Sequence, residues 1–154
     1  CRPLWEGDSV IHHISIPATD TRHVADVLVE ILGGVLTGFG PYRDSWIAWA
    51  ADEVGAAIEV YPVGTELYPP DGAGQALFRH DPSASGFTAT HATVSVELTA
   101  EQIVAIGERE GWRAERCSRG PHDVIELWLE NRVMLELMTP EMTADYLAAA
   151  PRRS

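Results

Sequence analysis

Little in this sequence is basic, and very little is cysteine. Eleven Lys and Arg stand against 23 Asp and Glu, a formal charge of −12. Non-specific nucleic-acid binding needs clustered cations to neutralise phosphates, so this balance argues against it. Adsorption to an anionic membrane is disfavoured for the same reason. No apolar run reaches the roughly 18 residues that would span a bilayer. No signal-peptide pattern precedes the first strand candidate. The two cysteines, Cys1 and Cys117, form no disulfide framework, and neither has a cysteine at metal-binding spacing. A reducing cytoplasm is therefore the expected compartment. Cys1 at the first position also occurs in processed lipoproteins, but a trimmed or renumbered chain explains it more simply.

What is present is a globular composition: 154 residues, 45% hydrophobic and 22% charged. That length fits one compact domain or two small fused modules. An internal repeat decides how it is organised. Val10 to Ile16 is β-branched and reads as a strand ended by Pro17-Ala18-Thr19-Asp20. Asp20 or Thr21 can cap a helix, since a short side-chain oxygen accepts from the orphan N–H groups of the first turn. Val24, Val27, Leu28 and Ile31 follow at helical spacing, and Gly33-Gly34 supplies a left-handed stop. The second half repeats the plan. Thr90 to Leu98 is β-rich, Thr99 with Gln102 has the form of a capping box, Ile103 and Ile106 give the apolar face, and Gly111 stops the helix. His13 to His91, Thr21 to Thr99 and Gly33 to Gly111 are each 78 positions apart.

Three strand candidates follow each helix: 35–39, 45–50 and 56–61 in the first half, 113–117, 124–129 and 133–138 in the second. Each half therefore reads β-α-β-β-β, and the chain as α+β. Module one spans about 10–62 and module two about 90–139. Between them, 63–89 is rich in Pro, Gly, Asp and Ser and reads as a long linking loop with a functional role. Thr139-Pro140-Glu141 opens a short helix to about Ala149, with Pro at a tolerated first position, and Arg152-Arg153-Ser154 reads as a frayed tail.

Strand alternation assigns faces. Ile14, Ile16, Ile58 and Val60 would pack on the first helix, as Val94, Val96, Leu135 and Leu137 would on the second. The opposite faces then carry His13, Glu59, His91 and Glu136. His13 to Glu59 is 46 positions and His91 to Glu136 is 45. Taken singly, a strand His or Glu is most often an ordinary solvated residue. Four at matched positions, opposite the aliphatic face, point to a shared site. If the modules pair about a pseudo-two-fold axis, two imidazoles and two carboxylates converge, which suits Zn, Ni, Co, Mn or Fe. A register shifted by one would make His12 the ligand instead of His13.

The stretches from His13 to Asp20, Ala57 to Pro62, His91 to Leu98 and Met134 to Leu137 resemble the vicinal oxygen chelate superfamily, which includes glyoxalase I, methylmalonyl-CoA epimerase, extradiol dioxygenases, and fosfomycin and bleomycin resistance proteins. The resemblance covers about residues 10–139. It implies two tandem β-α-β-β-β modules forming a curved mixed sheet around a central cavity, with helices outside. It also implies that His13 and His91 are first-strand metal ligands and Glu59 and Glu136 last-strand ligands. Both Glu positions filled is more like the glyoxalase I and epimerase branch. The long middle segment departs from glyoxalase I, and nothing specifies glutathione.

The expected function is thus a divalent-metal-dependent lyase, isomerase or epimerase. It would act on a small substrate with adjacent oxygens, with Glu136 or Glu59 as ligand and proton shuttle. The alternatives are an Fe(II)-dependent extradiol-type dioxygenase and a non-catalytic small-molecule (antibiotic) binding protein. The last predicts His and Glu paired with each other around an apolar cavity. Trp49, Tyr61, His80 and Trp128 are the expected substrate-binding residues, and Arg43, Arg79 and Arg132 are candidate partners for an anionic group. A small-molecule substrate and a homodimer are the expected partners, with no nucleic acid and no membrane.

Overall fold

The computed structural model describes residues 10–151, and Cys1 and the Arg152–Ser154 tail lie outside them. Ten strands and three helices occupy the described residues. They divide into two compact units between Phe87 and Thr88, and each unit contains one copy of the repeat.

In the first unit, β1 (His13–Ala18) leads into α1 (Thr21–Leu32). Asp20, rather than Thr21, is the cap: its side chain accepts from the His23 N–H, while Thr21 is buried and donates to the Asp44 carbonyl. Gly33 ends the helix at φ 70°, a left-handed conformation that glycine adopts without a Cβ clash. The chain then returns through β2 (Val35–Gly38), β3 (Trp46–Trp49) and β4 (Ala57–Pro62). The sheet order is β1-β4-β3-β2, with β1 and β4 parallel and the other pairs antiparallel. Val24, Leu28 and Ile31 of α1 are buried against β3 and β4, as the helical spacing requires. Each such side chain contributes about 1.5–3 kcal/mol of burial.

One sequence expectation fails in this unit. The segment 63–89 is not simply a loop, because β5 (Thr65–Tyr68) and β6 (Leu77–His80) form an antiparallel hairpin within it. Pro69-Pro70-Asp71-Gly72 turns the chain, which is why the composition read as loop. Short strands flanked by so much Pro and Gly give too few alternating positions to register as a period.

In the second unit, β7 (Ala92–Ser95) is followed by α2 (Ala100–Glu110), β8 (Ala114–Ser118), β9 (Asp123–Leu129), β10 (Val133–Met138) and α3 (Pro140–Ala149). The sheet order β7-β10-β9-β8 repeats that of the first unit, again with the first and last strands parallel. Thr99 and Gln102 form the complete capping box, and Gly111 at φ 69° stops α2. β7 is shorter than expected, so His91 precedes the strand instead of lying in it. Thr139 caps α3 with Pro140 at its first position. The β-α-β-β-β reading of both halves is thus observed, and the strand parity holds: Leu135 and Leu137 are fully buried while Glu136 on the opposite face is not.

Candidate functional site

In module one, β1 and β4 run parallel with Ser15 opposite Glu59. Parallel pairing brings the two first-strand polar residues, His13 and Ser15, onto the face that carries Glu59. Ser15 Oγ donates to Glu59 Oε2 at 2.8 Å, and the Tyr61 hydroxyl reaches the same oxygen at 3.4 Å. Oε1 faces the imidazole, with His13 Nε2 3.7 Å away. The Glu59 side chain is only 12% exposed, whereas that of His13 is 56% exposed. Burial, followed by the charge and hydrogen bond of Glu59, pushes the Tyr61 phenol up to about 12, so it remains a donor at neutral pH. His12 turns elsewhere, with Nδ1 2.8 Å from the Val54 carbonyl. It is His13 that neighbours the carboxylate.

Tyr61 is also the centre of an aromatic cluster. Its ring lies 5.5 Å from Phe39, 6.0 Å from Tyr42 and 6.0 Å from Phe78, and Tyr42 and Phe78 are 5.0 Å apart. Phe78 belongs to β6, so the hairpin packs on the residue that bonds Glu59. His80, at the end of β6, is exposed and pairs in register with Thr65. Arg79 is engaged by Glu66 at 2.6 Å, and Arg43 is exposed.

Module two repeats the hydroxyl–carboxylate pair. Thr93 lies opposite Glu136, and Thr93 Oγ1 donates to Glu136 Oε2 at 2.6 Å. Ser15 and Thr93 are 78 positions apart, the spacing of the repeat, and both lie on the faces that alternation assigned to the ligands. His91 is exposed, its Nδ1 3.0 Å from the Ala89 carbonyl. If Nδ1 carries the proton in that bond, Nε2 presents a lone pair, the usual arrangement of a metal-ligating imidazole.

The second carboxylate has company that sequence reasoning did not single out. Arg119 Nε donates to Glu136 Oε1 at 2.7 Å, and Arg119 Nη2 lies 2.7 Å from both that oxygen and Glu126 Oε1. Glu126 also accepts from Trp128 Nε1 at 3.1 Å and Arg113 at 3.3 Å. Desolvation opposes ionisation of Glu136, but the bonds from Thr93 and Arg119 and the charges of Arg119 and His91 outweigh it, and its carboxyl titrates below the ordinary value. The Arg119 hydrogen bond, helped by that of Trp128, does the same for Glu126. An open recess of about 400 Å³ beside this network is lined by Arg113, Glu126, Trp128 and Asn131. Trp128 thus lines a cavity. Trp49, its counterpart in module one, bonds Thr37 through its indole N–H at 2.9 Å. The only sequence signal for Glu126 was its parity with Trp128. Arg119 sits in a turn, where alternation says nothing.

No group of three or more His, Cys, Asp or Glu side chains stands at metal-binding distances among the described residues. The chain instead presents two half-sites, each described within its own module.

No protein-family model matches the chain, and no curated protein matches it in sequence. Solved structures do match. The fosfomycin resistance protein FosX from Listeria monocytogenes, complexed with Mn(II) and sulfate, aligns over 93% of this chain and 99% of its own at 13% identity, with a TM-score of 0.55. A glyoxylase/bleomycin resistance protein/dioxygenase domain from Frankia sp. EAN1pec aligns over 86% of this chain and 98% of its own at 15% identity, also with a TM-score of 0.55. FosX from Mesorhizobium loti aligns over 90% and 98% at 8% identity, again at 0.55.

The chain has the vicinal oxygen chelate fold.

At such identities the likeness carries the fold and not the activity. The metal that a vicinal oxygen chelate fold implies must therefore be tested against the side chains. At Glu59 the donors fit: one oxygen is anchored by Ser15 and Tyr61, and the other lies beside His13. At His91 they fit through Nε2. At Glu136 they do not, because both oxygens already accept hydrogen bonds and one is held by a guanidinium.

Proposed function

We propose that this chain is a divalent-metal-dependent enzyme of the lyase, isomerase or epimerase type, acting on a small substrate with adjacent oxygens. The observation that carries this reading is the duplicated half-site: an exposed imidazole and a hydroxyl-anchored carboxylate at equivalent places in both modules. Within module one, His13 and Glu59 would hold a transition ion among Zn, Ni, Co, Mn and Fe; within module two, His91 is the candidate ligand, with Glu136 only on release from Arg119. Such an ion supplies Lewis-acid polarisation of a bound oxygen.

The chain's own residues supply the rest. Ser15 and Tyr61 fix the orientation of Glu59 and leave Oε1 as the oxygen that binds or accepts a proton. Glu136, kept ionised by Thr93 and Arg119, would become a second carboxylate able to move a proton only on release from Arg119. Trp128 and Arg113 offer a ring face and a cation to a small ligand in the recess. His80 and Trp49 remain substrate-binding candidates in module one. A single 154-residue domain, a homodimer and a cytoplasmic location belong to the same reading, and among the described residues no helix is long and apolar enough to cross a membrane. One observation favours the non-catalytic alternative: Glu136 is already neutralised within its own module.

Elemental analysis of the purified protein tests the proposal, beside His13→Ala and Glu59→Gln variants and sedimentation to give the oligomeric state. The expected result is about one divalent ion per chain, lost in both variants. An iron content with redox activity would move the reading to the dioxygenase. If excess Zn, Ni, Mn or Fe(II) is not taken up at all, the enzyme reading fails.

A further inference from the structure

Across the sheet of module one, in register, lie Ser15, Glu59, Ile47 and Thr37. The equivalent row of module two is Thr93, Glu136, Glu126 and Glu115. The apolar neighbour of the first carboxylate has been replaced by a second acid. Like charges directly opposite on adjacent strands are destabilising unless a cation lies between them. Arg119 is that cation. It enters from the turn after β8, where its backbone N–H donates to the His122 carbonyl at 2.8 Å and Gly120 takes φ 88°. Its fork spans both carboxylates, whose side chains are only 16% and 12% exposed at Glu126 and Glu136. In module one Glu59 is met instead by Ser15, Tyr61 and His13, and Arg43, in the connection between β2 and β3, is exposed.

We propose that Arg119 is the resident cation of module two: it fills the electrostatic place at Glu136 that a divalent ion would need, and Glu136 coordinates metal only when the guanidinium is displaced. A dication and a guanidinium cannot share one carboxylate oxygen without facing each other as like charges at short range. A lysine could give up its proton and yield, but arginine cannot at any pH a protein survives. All eleven basic residues of this chain are arginine. The two modules are therefore unequal: the Glu59 half is open to a metal, and the Glu136 half is guarded. This concerns the same site as the metal-dependent reading, but it stands or falls on variants of Arg119.

The test is Mn(II) binding, followed by the paramagnetic resonance signal of free Mn(II). The proteins are the parent, Arg119→Gln, Arg119→Gln/Glu136→Gln, and the charge-balanced pair Arg119→Gln/Glu126→Gln. Removing the guanidinium is expected to tighten Mn(II) binding by about tenfold or more. Adding Glu136→Gln should abolish the gain. The charge-balanced pair should also bind more tightly than the parent, and it decides the matter if Arg119→Gln cannot fold with two facing acids. A parent that binds no Mn(II), with a gain in the variants, would remove Mn from the ions of the metal-dependent reading and leave this inference standing. Variants that bind no more tightly than the parent, or a gain that survives Glu136→Gln, would overturn it.

Discussion

The chemistry of each half-site is set by what the glutamate touches. Glu59 is met by neutral hydroxyl donors and an imidazole, and Glu136 by a hydroxyl and a permanent cation. Two predictions belong at this scale. The Tyr61 phenol is raised from 10.0 to about 12 in the folded protein, so folding favours its protonated form. That contribution is complete below pH 10, shrinks as pH rises, and is gone above about 12. Denaturant midpoints measured at intervals above pH 9 should fall, and Tyr61→Phe should flatten the fall while costing about 1 kcal/mol at neutral pH. Glu136 has the opposite sign. Its depressed titration stabilises the fold above the ordinary carboxylate range, and this is lost as pH falls through its folded value. Glu136→Gln should therefore weaken the loss of stability in acid, read by the same denaturation series between pH 6 and pH 3 (a window set by the roughly 4.3 of an ordinary Glu).

At the scale of elements, two contacts decide how well the site faces are held. Helix α2 lies so close to β8 that a Cβ on Gly107 would stand 2.6 Å from the Ala114 Cβ and 2.9 Å from the Trp112 carbonyl. Gly107→Ala should cost about 1–3 kcal/mol, seen as a fall of several degrees in melting temperature, because both neighbours are backbone-fixed. The β5–β6 hairpin rests on Tyr61 through Phe78. Phe78→Ala should remove that anchor, so limited proteolysis should cut faster between Tyr68 and Leu77 while the circular dichroism of the two four-stranded sheets stays unchanged. Equal cutting in parent and variant would mean that the hairpin's own ladder, not the aromatic cluster, holds it.

At the scale of the whole molecule, duplication and charge dominate. Each unit buries its own aliphatic core, and the repeat of strand order, caps and hydroxyl–carboxylate pairs is maintained although the rows beside the carboxylates have diverged. With a charge of −12, the 11 arginines are outnumbered by 23 Asp and Glu, a poor balance for phosphates. Band-shift assays with duplex DNA at roughly 50 mM salt should show no complex, since phosphate neutralisation is the main source of non-specific affinity.

The sequence by itself determined the β-α-β-β-β order of both halves, because aliphatic alternation, a capping side chain before the helix of each half and a glycine after it are local signals, and those glycines, Gly33 and Gly111, recur at a spacing of 78. It also placed His13, Glu59 and Glu136 on the face opposite the aliphatic core, since parity along a strand follows from the pleat alone. The hairpin within 63–89 escaped it, because strands of four residues between Pro and Gly turns present no period long enough to read. Arg119 escaped it for a deeper reason. A turn residue has no parity, and which carboxylates its long side chain reaches depends on which strands lie side by side. Only tertiary pairing puts Glu126 opposite Glu136, and only then does the guanidinium have two acids to bridge.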